Sequence, residues 1–444
     1  LRGDGFHMSE SLVAIVGRPN VGKSSLFNRL VGERRAIVSD IPGTTRDRIS
    51  ARITWGDQSF FLVDTGGLEL IPNSALWDKV RAQVEVAIND ADAIMFLVDG
   101  LSGITPGDVE ISHMLRKISK PVFLVVNKVD NPKREQESVE FNELGLREPI
   151  YISAYHNLGI QDLMEDLLSK IESDGSSSPE DILRLAIVGR TNVGKSHLIN
   201  SILGDDRSIV SDIPGTTRDA LDIPLSFGDT SMVLIDTAGV RRRGRIDRGL
   251  EKYSVLRTIR AIDRSNVCLL VIDGSEPITA QDTHVAGQIL DAGKGVIIVF
   301  NKCDLIQQQA YKKELTHHAK IRLKFIPYAP VAFTSALLGE GIRQLVQKAL
   351  KVYKEGAKMV SDDTLKRTLM SALAAHPPSG RKGRSLRVYG ISQKEARPPT
   401  FVIPVNNPDL VHFSYERYLE NRLRSAFRFE GNPLNLQFQK RGGR

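Results

Sequence analysis

Cysteine is scarce in this chain: its 444 residues hold two, Cys268 in VCLLVID and Cys303 in NKCD, with neither C-x-x-C spacing nor a nearby histidine pair. A disulfide framework and a cysteine-bound zinc are therefore not expected, and a reducing cytoplasm fits. No apolar run approaches the roughly 18 residues that a membrane span needs. With 41% hydrophobic and 25% charged residues and a mean hydropathy of −0.18, the composition is that of a soluble protein. Residues 1–7, LRGDGFH, precede Met8 and lack the apolar segment of a secretory leader, so 1–10 read as a tag and disordered N-terminus outside the fold. An acidic C-terminal end is also missing: residues 357–444 carry 16 Lys and Arg against 7 Asp and Glu, so they hold +9 of a net +7 and leave −2 to the rest. A basic end on a near-neutral body suits a polyanionic partner such as RNA, or else it is a solvated basic surface.

What the chain does have, it has twice. IVSDIPGTTRD occurs at 37–47 and again unchanged at 209–219, and VAIVGRPNVGKSSLFNRL (13–30) is echoed by LAIVGRTNVGKSHLINSI (185–202) at the same offset of 172. Each copy passes from a β-branched run through Gly-x-x-x-x-Gly-Lys-Ser into helical spacing, at Leu26, Phe27 and Leu30 and at Leu198, Ile199 and Ile202. Strand, glycine loop and helix are the context a phosphate-binding loop requires. Gly17, Arg18, Pro19, Asn20, Val21, Gly22, Lys23, Ser24 and Ser25 form the first loop. Gly189, Arg190, Thr191, Asn192, Val193, Gly194, Lys195, Ser196 and His197 form the second. Small residues let backbone N–H groups wrap a β-phosphate, Lys23 or Lys195 reaches the β and γ oxygens, and the hydroxyl of Ser24 or Ser196 ligates Mg²⁺.

Three further pairs follow in order. FFLVDTGG and MVLIDTAG end strands in Asp-x-x-Gly, where Asp64 and Asp236 would hold Mg²⁺, usually through water, and the N–H of Gly67 or Gly239 can sense a γ-phosphate, with Thr65, Gly66, Thr237 and Ala238 as further nucleotide-binding candidates. NKVD supplies Asn127, Lys128, Val129 and Asp130, and NKCD supplies Asn301, Lys302, Cys303 and Asp304. An aspartate here accepts from both N1–H and the 2-amino group of guanine, and adenine offers neither donor, so GTP is expected over ATP. Ser153 and Ala154, and Ser335 and Ala336, complete the base pocket, with the alanine N–H near guanine O6. The repeated IVSDIPGTTRD then reads as a switch whose threonine, Thr45 or Thr217, closes on Mg²⁺ and γ-phosphate, with Thr44 and Thr216 as neighbouring alternatives.

In this combination of paired motifs the chain resembles the EngA/Der family of tandem bacterial GTPases from about residue 11 to about 440. The resemblance implies an α/β fold, with two tandem phosphate-loop GTPase domains on doubly wound, mostly parallel sheets and a C-terminal α+β KH-like domain. It also implies slow hydrolysis of GTP to GDP and a role in assembling the large ribosomal subunit through its rRNA, with no membrane or DNA partner. DDTLKRTLMSALAAH (362–376), SLRVYGISQ, TFVIPVNN, SYERYLENRLRSAFRF (414–429) and LNLQFQ give the α-β-β-α-β order of such a KH-like domain. GRKG (380–383) matches a Gly-x-x-Gly RNA clamp in letters, but it leads into a strand rather than joining two helices. Arg381, Lys382, Arg384 and Arg387 remain candidates for phosphate contact.

Where small regulatory GTPases usually place a water-orienting glutamine, this chain has Leu68 and Val240. Either both sites bind without hydrolysing, or another element supports slow hydrolysis, which is the reading preferred here. Relatives with this substitution resemble potassium-assisted GTPases, in which the loop asparagine, here Asn20 or Asn192, helps hold K⁺ where an arginine finger would put its charge. The second copy alone carries Arg241, Arg242, Arg243, Arg245 and Arg248 after Asp-x-x-Gly, a surface for RNA or a neighbouring domain, or a solvated basic face. SDGSSSPED (173–181) reads as linker, so domains are expected at 11–172, 183–355 and 356–440 with 173–182 between the first two, in a monomer. A GTP-dependent RNA-modification partner, or a scaffold with one silent site, is the alternative; the absence of a C-terminal cysteine counts against the first and two intact motif sets against the second.

Overall fold

The computed structural model describes residues 11–33, 50–56, 58–67, 76–131, 134, 138–171, 182–204, 208–210, 222–227, 230–235, 254–306, 309–378 and 385–441. The expected switch threonines, the linker, the arginines at 241–248 and GRKG lie outside these residues. Two compact units result, one holding the first sheet together with residues 254–260, the other holding the second and third sheets.

The first sheet begins with β1 (Ser11–Val16) and α1 (Lys23–Glu33), continues through β2 (Ser50–Trp55), β3 (Gln58–Asp64), α2 (Leu76–Asp90), β4 (Ala93–Asp99) and α3 (Pro106–Leu115), and ends with β5 (Val122–Asn127), β6 (Ile150–Tyr151) and α4 (Ile160–Lys170). Its strand order is β2-β3-β1-β4-β5-β6, antiparallel only between β2 and β3. Strands buried on both faces must be apolar throughout. Accordingly every residue of β4 and β5 is buried, and alternate residues of β1 feed two cores: Val13 and Ile15 pack with Leu26 and Leu163, and Ala14 and Val16 with Val84 and Ile111. A fully buried Phe96 or Phe123 contributes about 2–3 kcal/mol. β1 lies where the order reverses, between β3 and β4, so the loop after it opens at the crevice in which ligands of such sheets sit.

The same plan recurs as β7 (Leu183–Val188), α5 (Lys195–Leu203), β8 (Ser208–Val210), β9 (Ile223–Phe227), β10 (Thr230–Ile235), α6 (Ser254–Arg264), β11 (Val267–Asp273), α7 (Ala280–Asp291), β12 (Gly295–Asn301), α8 (Gln309–Arg322), β13 (Val331–Phe333) and α9 (Ile342–Gly356). Its order, β8-β9-β10-β7-β11-β12-β13, is that of the first sheet with one added edge strand. α3 and α7 start alike: Thr105 or Thr279 caps the helix, and Asp108 or Asp282 returns the bond to the cap backbone. Each reciprocal pair satisfies two N–H groups that a helix start otherwise leaves open.

The C-terminal part follows the expected order: α10 (Asp362–Ala375), β14 (Ser392–Ala396), β15 (Pro399–Val405), α11 (Phe413–Phe427) and β16 (Asn435–Lys440). One strand differs from expectation. Of SLRVYGISQ, 385–391 pairs its backbone with β15 only at the bridge Val388↔Val405, and β14 starts at Ser392. The Asn406 side chain takes over the ladder's work there, accepting from Arg387 N at 2.9 Å and donating to Ser385 O at 3.0 Å. Within its unit this small domain is joined to the second sheet by backbone bonds from Val296 N to Gly431 O (2.8 Å) and from Gly431 N to Tyr328 O (3.0 Å). Asn432 donates to Val352 O at 2.8 Å, and the guanidinium of Arg424 stacks 4.2 Å from the Tyr328 ring centroid. Among the described residues no helix is long and apolar enough to cross a membrane.

Two candidate nucleotide sites

The loop after β1 must turn sharply and then start a helix. Gly22 (φ 99°) and Gly194 (φ 94°) make that turn, and a Cβ on either would lie 2.3 Å from the side-chain nitrogen of Asn127 or Asn301. Glycine is thus required by backbone conformation and by the side chain pressed against it. Asn20 and Asn192, both exposed, also have left-handed backbones, at φ 66° and 64°.

Lys23 Nζ donates to the carbonyls of Gly17 (2.7 Å) and Arg18 (2.9 Å), and Lys195 Nζ to those of Gly189 (2.8 Å) and Arg190 (2.6 Å). Burial pushes the Lys23 ammonium below its ordinary pKa, and Asp64 partly restores it. Ser24 Oγ donates to Asp64 Oδ2 at 2.6 Å, bringing together two oxygens assigned to Mg²⁺ in the first copy. A hydroxyl and a carboxylate are suitable donors for so hard a cation, and the residues present fit it. Thr65 Oγ1 donates to Ile15 O at 2.7 Å and Gly66 N to Asp64 Oδ1 at 2.8 Å, so the Asp-x-x-Gly turn is tied to the strand beside the loop. Leu68, Asp236, Thr237, Ala238, Gly239, Val240, Thr45 and Thr217 lie outside the described residues.

At the base end the two halves agree within the reach of each bond. Asn127 Nδ2 donates to Val21 O and Asn301 Nδ2 to Val193 O, both at 2.9 Å. Their Oδ1 atoms accept from Ala154 N and Ala336 N, both at 3.0 Å. The asparagines therefore tie the phosphate loop to the Ser-Ala turn, and the alanine N–H expected at guanine O6 is already given to them. Contact with O6 requires that bond to be shared or exchanged.

Several residues of these sites escaped the sequence reading. Lys128 Nζ pairs with Asp99 and Lys302 Nζ with Asp273, each at 2.6 Å, and Lys128 also reaches Asn20 O at 3.0 Å. Burial opposes charge on both aspartates, but the lysine and nearby backbone N–H bonds overcome it and hold each carboxyl below the usual range. Val-Asp-Gly at 98–100, repeated as Ile-Asp-Gly at 272–274, was the available signal. Arg29 donates to Ala154 O at 2.9 Å, and Ser201 to Ala336 O at 2.5 Å; these equivalent positions differ in residue type, so repetition could not reveal them. Apart from these, Trp77 rests on Gly107 and donates from Nε1 to Glu110 at 2.9 Å.

Residues 12–128 and 184–302 match the family described as 50S ribosome-binding GTPase, and 360–439 match the KH-domain-like C-terminal region of EngA bacterial GTPase enzymes. Over 437 residues the chain is 48% identical to the GTPase Der of Caldanaerobacter subterraneus subsp. tengcongensis, covering 98% of this chain and 100% of that one. It is also 48% identical over 441 residues to the GTPase Der of Thermomicrobium roseum, covering 97% and 96%. With the GTPase Der of Geobacillus kaustophilus the identity is 46% over 432 residues, covering 97% and 99%.

Proposed function

The chain belongs to the Der family of tandem GTPases, which bind GTP and GDP with Mg²⁺ and hydrolyse GTP, and from that premise we propose that it is a nucleotide-dependent switch in maturation of the large ribosomal subunit. The observation that carries this reading is the doubled frame: both halves clamp loop, base turn and lysine through equivalent bonds, which favours two working sites over one silent one. The +9 charge of residues 357–444 suits rRNA phosphates.

In this proposal Lys23 and Lys195 grip the phosphates, and Mg²⁺ is held by Ser24, Thr45 and Asp64 in the first site and by Ser196, Thr217 and Asp236 in the second. Asp130 and Asp304 read guanine. Once bound there, the cation would neutralise phosphate charge, and the lysines and loop N–H groups would orient the triphosphate for attack by water. Domains 11–172, 183–355 and 356–440 act in one cytoplasmic monomer. Asn20 and Asn192, exposed at the loop crest, support the further proposal of K⁺ as activator. Turnover of GTP should be faster in KCl than in NaCl at equal ionic strength; equal rates would remove K⁺ from the mechanism.

The switch is tested by co-sedimentation with ribosomal subunits without nucleotide, with GDP, or with a non-hydrolysable GTP analogue, using wild type, Lys23→Ala and Lys195→Ala. Binding to the large subunit only with the GTP analogue, and lost in either variant, is expected. Absence of subunit binding in every state would sink the proposal in favour of an RNA-modification partner or scaffold.

A further inference from the structure

We propose that Asp108 and Asp282 are positioning residues for nucleotide binding, each holding the loop arginine whose own carbonyl holds the phosphate-gripping lysine. Both aspartates are completely buried at helix starts, and each faces the arginine of its own loop: Arg18 Nε lies 3.3 Å from Asp108 Oδ2, and Arg190 Nε 3.7 Å from Asp282 Oδ1. Asp108 Oδ2 also accepts from Thr105 N (3.1 Å) and Oγ1 (2.7 Å), and Asp282 Oδ2 from Thr279 N (2.9 Å) and Oγ1 (2.8 Å). The cap thus aims and steadies the carboxylate, and the carboxylate anchors the arginine.

Repetition separates this arrangement from an incidental ion pair. The helices differ widely, PGDVEISHML against AQDTHVAGQILD, yet in both a Thr cap bonds Oδ2 of the buried Asp and the loop arginine faces that carboxylate, Arg18 at the Thr-bonded oxygen of Asp108 and Arg190 at the other oxygen of Asp282. The anchored residue is also the one that matters to the lysine, since the Arg18 carbonyl accepts from Lys23 and the Arg190 carbonyl from Lys195. Fixing the side chain at one end restrains the peptide at the other, so the lysine is held in place before nucleotide arrives. A pre-positioned group loses less freedom on binding, and the benefit appears as affinity.

The inference rests on the assignment of Lys23 and Lys195 to the phosphates. The test uses the full chain with the second site silenced by Lys195→Ala, and reads the affinity of a fluorescent GDP analogue, KM and kcat for GTP, and the thermal midpoint. Asp108→Asn keeps an oxygen to accept from Thr105 but loses the charge, and Arg18→Met keeps the aliphatic stem of a partly exposed side chain. Each should weaken nucleotide affinity by about tenfold, with kcat at saturation within about twofold. The double variant should be no weaker than either single one, because both break the same link. Unchanged affinity in both, additive losses, or a fall in kcat alone would overturn the proposal. If Asp108→Asn does not fold, Arg18→Met decides between the same outcomes. Unimpaired binding by Lys23→Ala in this background would instead overturn the assignment of the site, leaving the two failures distinct.

Discussion

In the first half, Asp130 accepts from Asn131 at 2.8 Å and pairs with Arg134 at 2.7 Å; in the second, the equivalent Asp304 accepts from Ser335 Oγ at 2.5 Å. The loop arginines differ too: Arg18 faces Asp108, whereas Arg190 faces Glu276 as well as Asp282. Identical motifs thus place the same reading groups in both halves, but their neighbours set how firmly those groups wait. On the proposed assignment of Asp130, guanine entering the first site would compete with a cation for that carboxylate. In the second site the carboxylate is oriented by a neutral hydroxyl, and the loop arginine has two anchors.

The most severe way to break the comparison is at the lysines. Lys23→Ala and Lys195→Ala should each abolish binding at one site and leave the other, losing about a hundredfold or more in affinity. Titration calorimetry on the full chain should then find half the wild-type stoichiometry in either variant. Next in size, Asp130→Asn and Asp304→Asn should keep one oxygen to accept from guanine N1–H but set an amide NH2 against the guanine 2-amino group, replacing one hydrogen bond with two opposed donors. GTP should weaken by about a hundredfold to a thousandfold at the altered site while xanthosine triphosphate, whose 2-oxo group accepts from the new amide, gains. Competition between the two nucleotides would show it.

Asp282→Asn should cost less affinity than Asp108→Asn, by about threefold, because Glu276 still holds Arg190. Equal losses would mean that Glu276 is a bystander. Arg134→Ala should raise first-site guanine affinity by about twofold to fivefold and leave the second site unchanged, since the ion pair it removes is partly exposed and worth under about 1 kcal/mol. The smallest effect concerns acid. Asp99 and Asp273 have carboxyl groups held below the ordinary range, so their contribution is present above the unfolded value of about 4 and is lost as pH falls through the lower folded value. Unfolding free energies of wild type and an Asp99→Asn, Asp273→Asn double variant, distinct near neutrality, should therefore converge in strong acid.

Much of this molecule could be read from letters alone where chemistry is local. Gly-Lys-Ser after an apolar run and before helical spacing placed α1 and α5, and the apolar stretches ending in Asn-Lys-x-Asp placed β5 and β12. The reading failed where a side chain substitutes for backbone pairing, as Asn406 does beside Arg387 and Ser385, because strand propensity carries no information about a distant amide. It also passed over Asp99 and Asp273, visible in the repeat but lacking a known role until Lys128 and Lys302 were seen on them.

By itself, the amino-acid sequence determined that a Gly-x-x-x-x-Gly-Lys-Ser loop stands twice between strand and helix, that Asn-Lys-x-Asp follows each at the end of an apolar strand, and that the C-terminal end is basic. Those properties reside in residue types at fixed short spacings, where one turn of backbone brings the relevant groups together. Only the tertiary structure decided that Ala154 N is already engaged, that Arg18 is anchored, and that Asp130 and Asp304 are held by different partners. Such contacts join residues far apart in the chain, Arg18 and Asp108 among them, and they form only once the parallel sheet has brought the ends of its strands to a common edge.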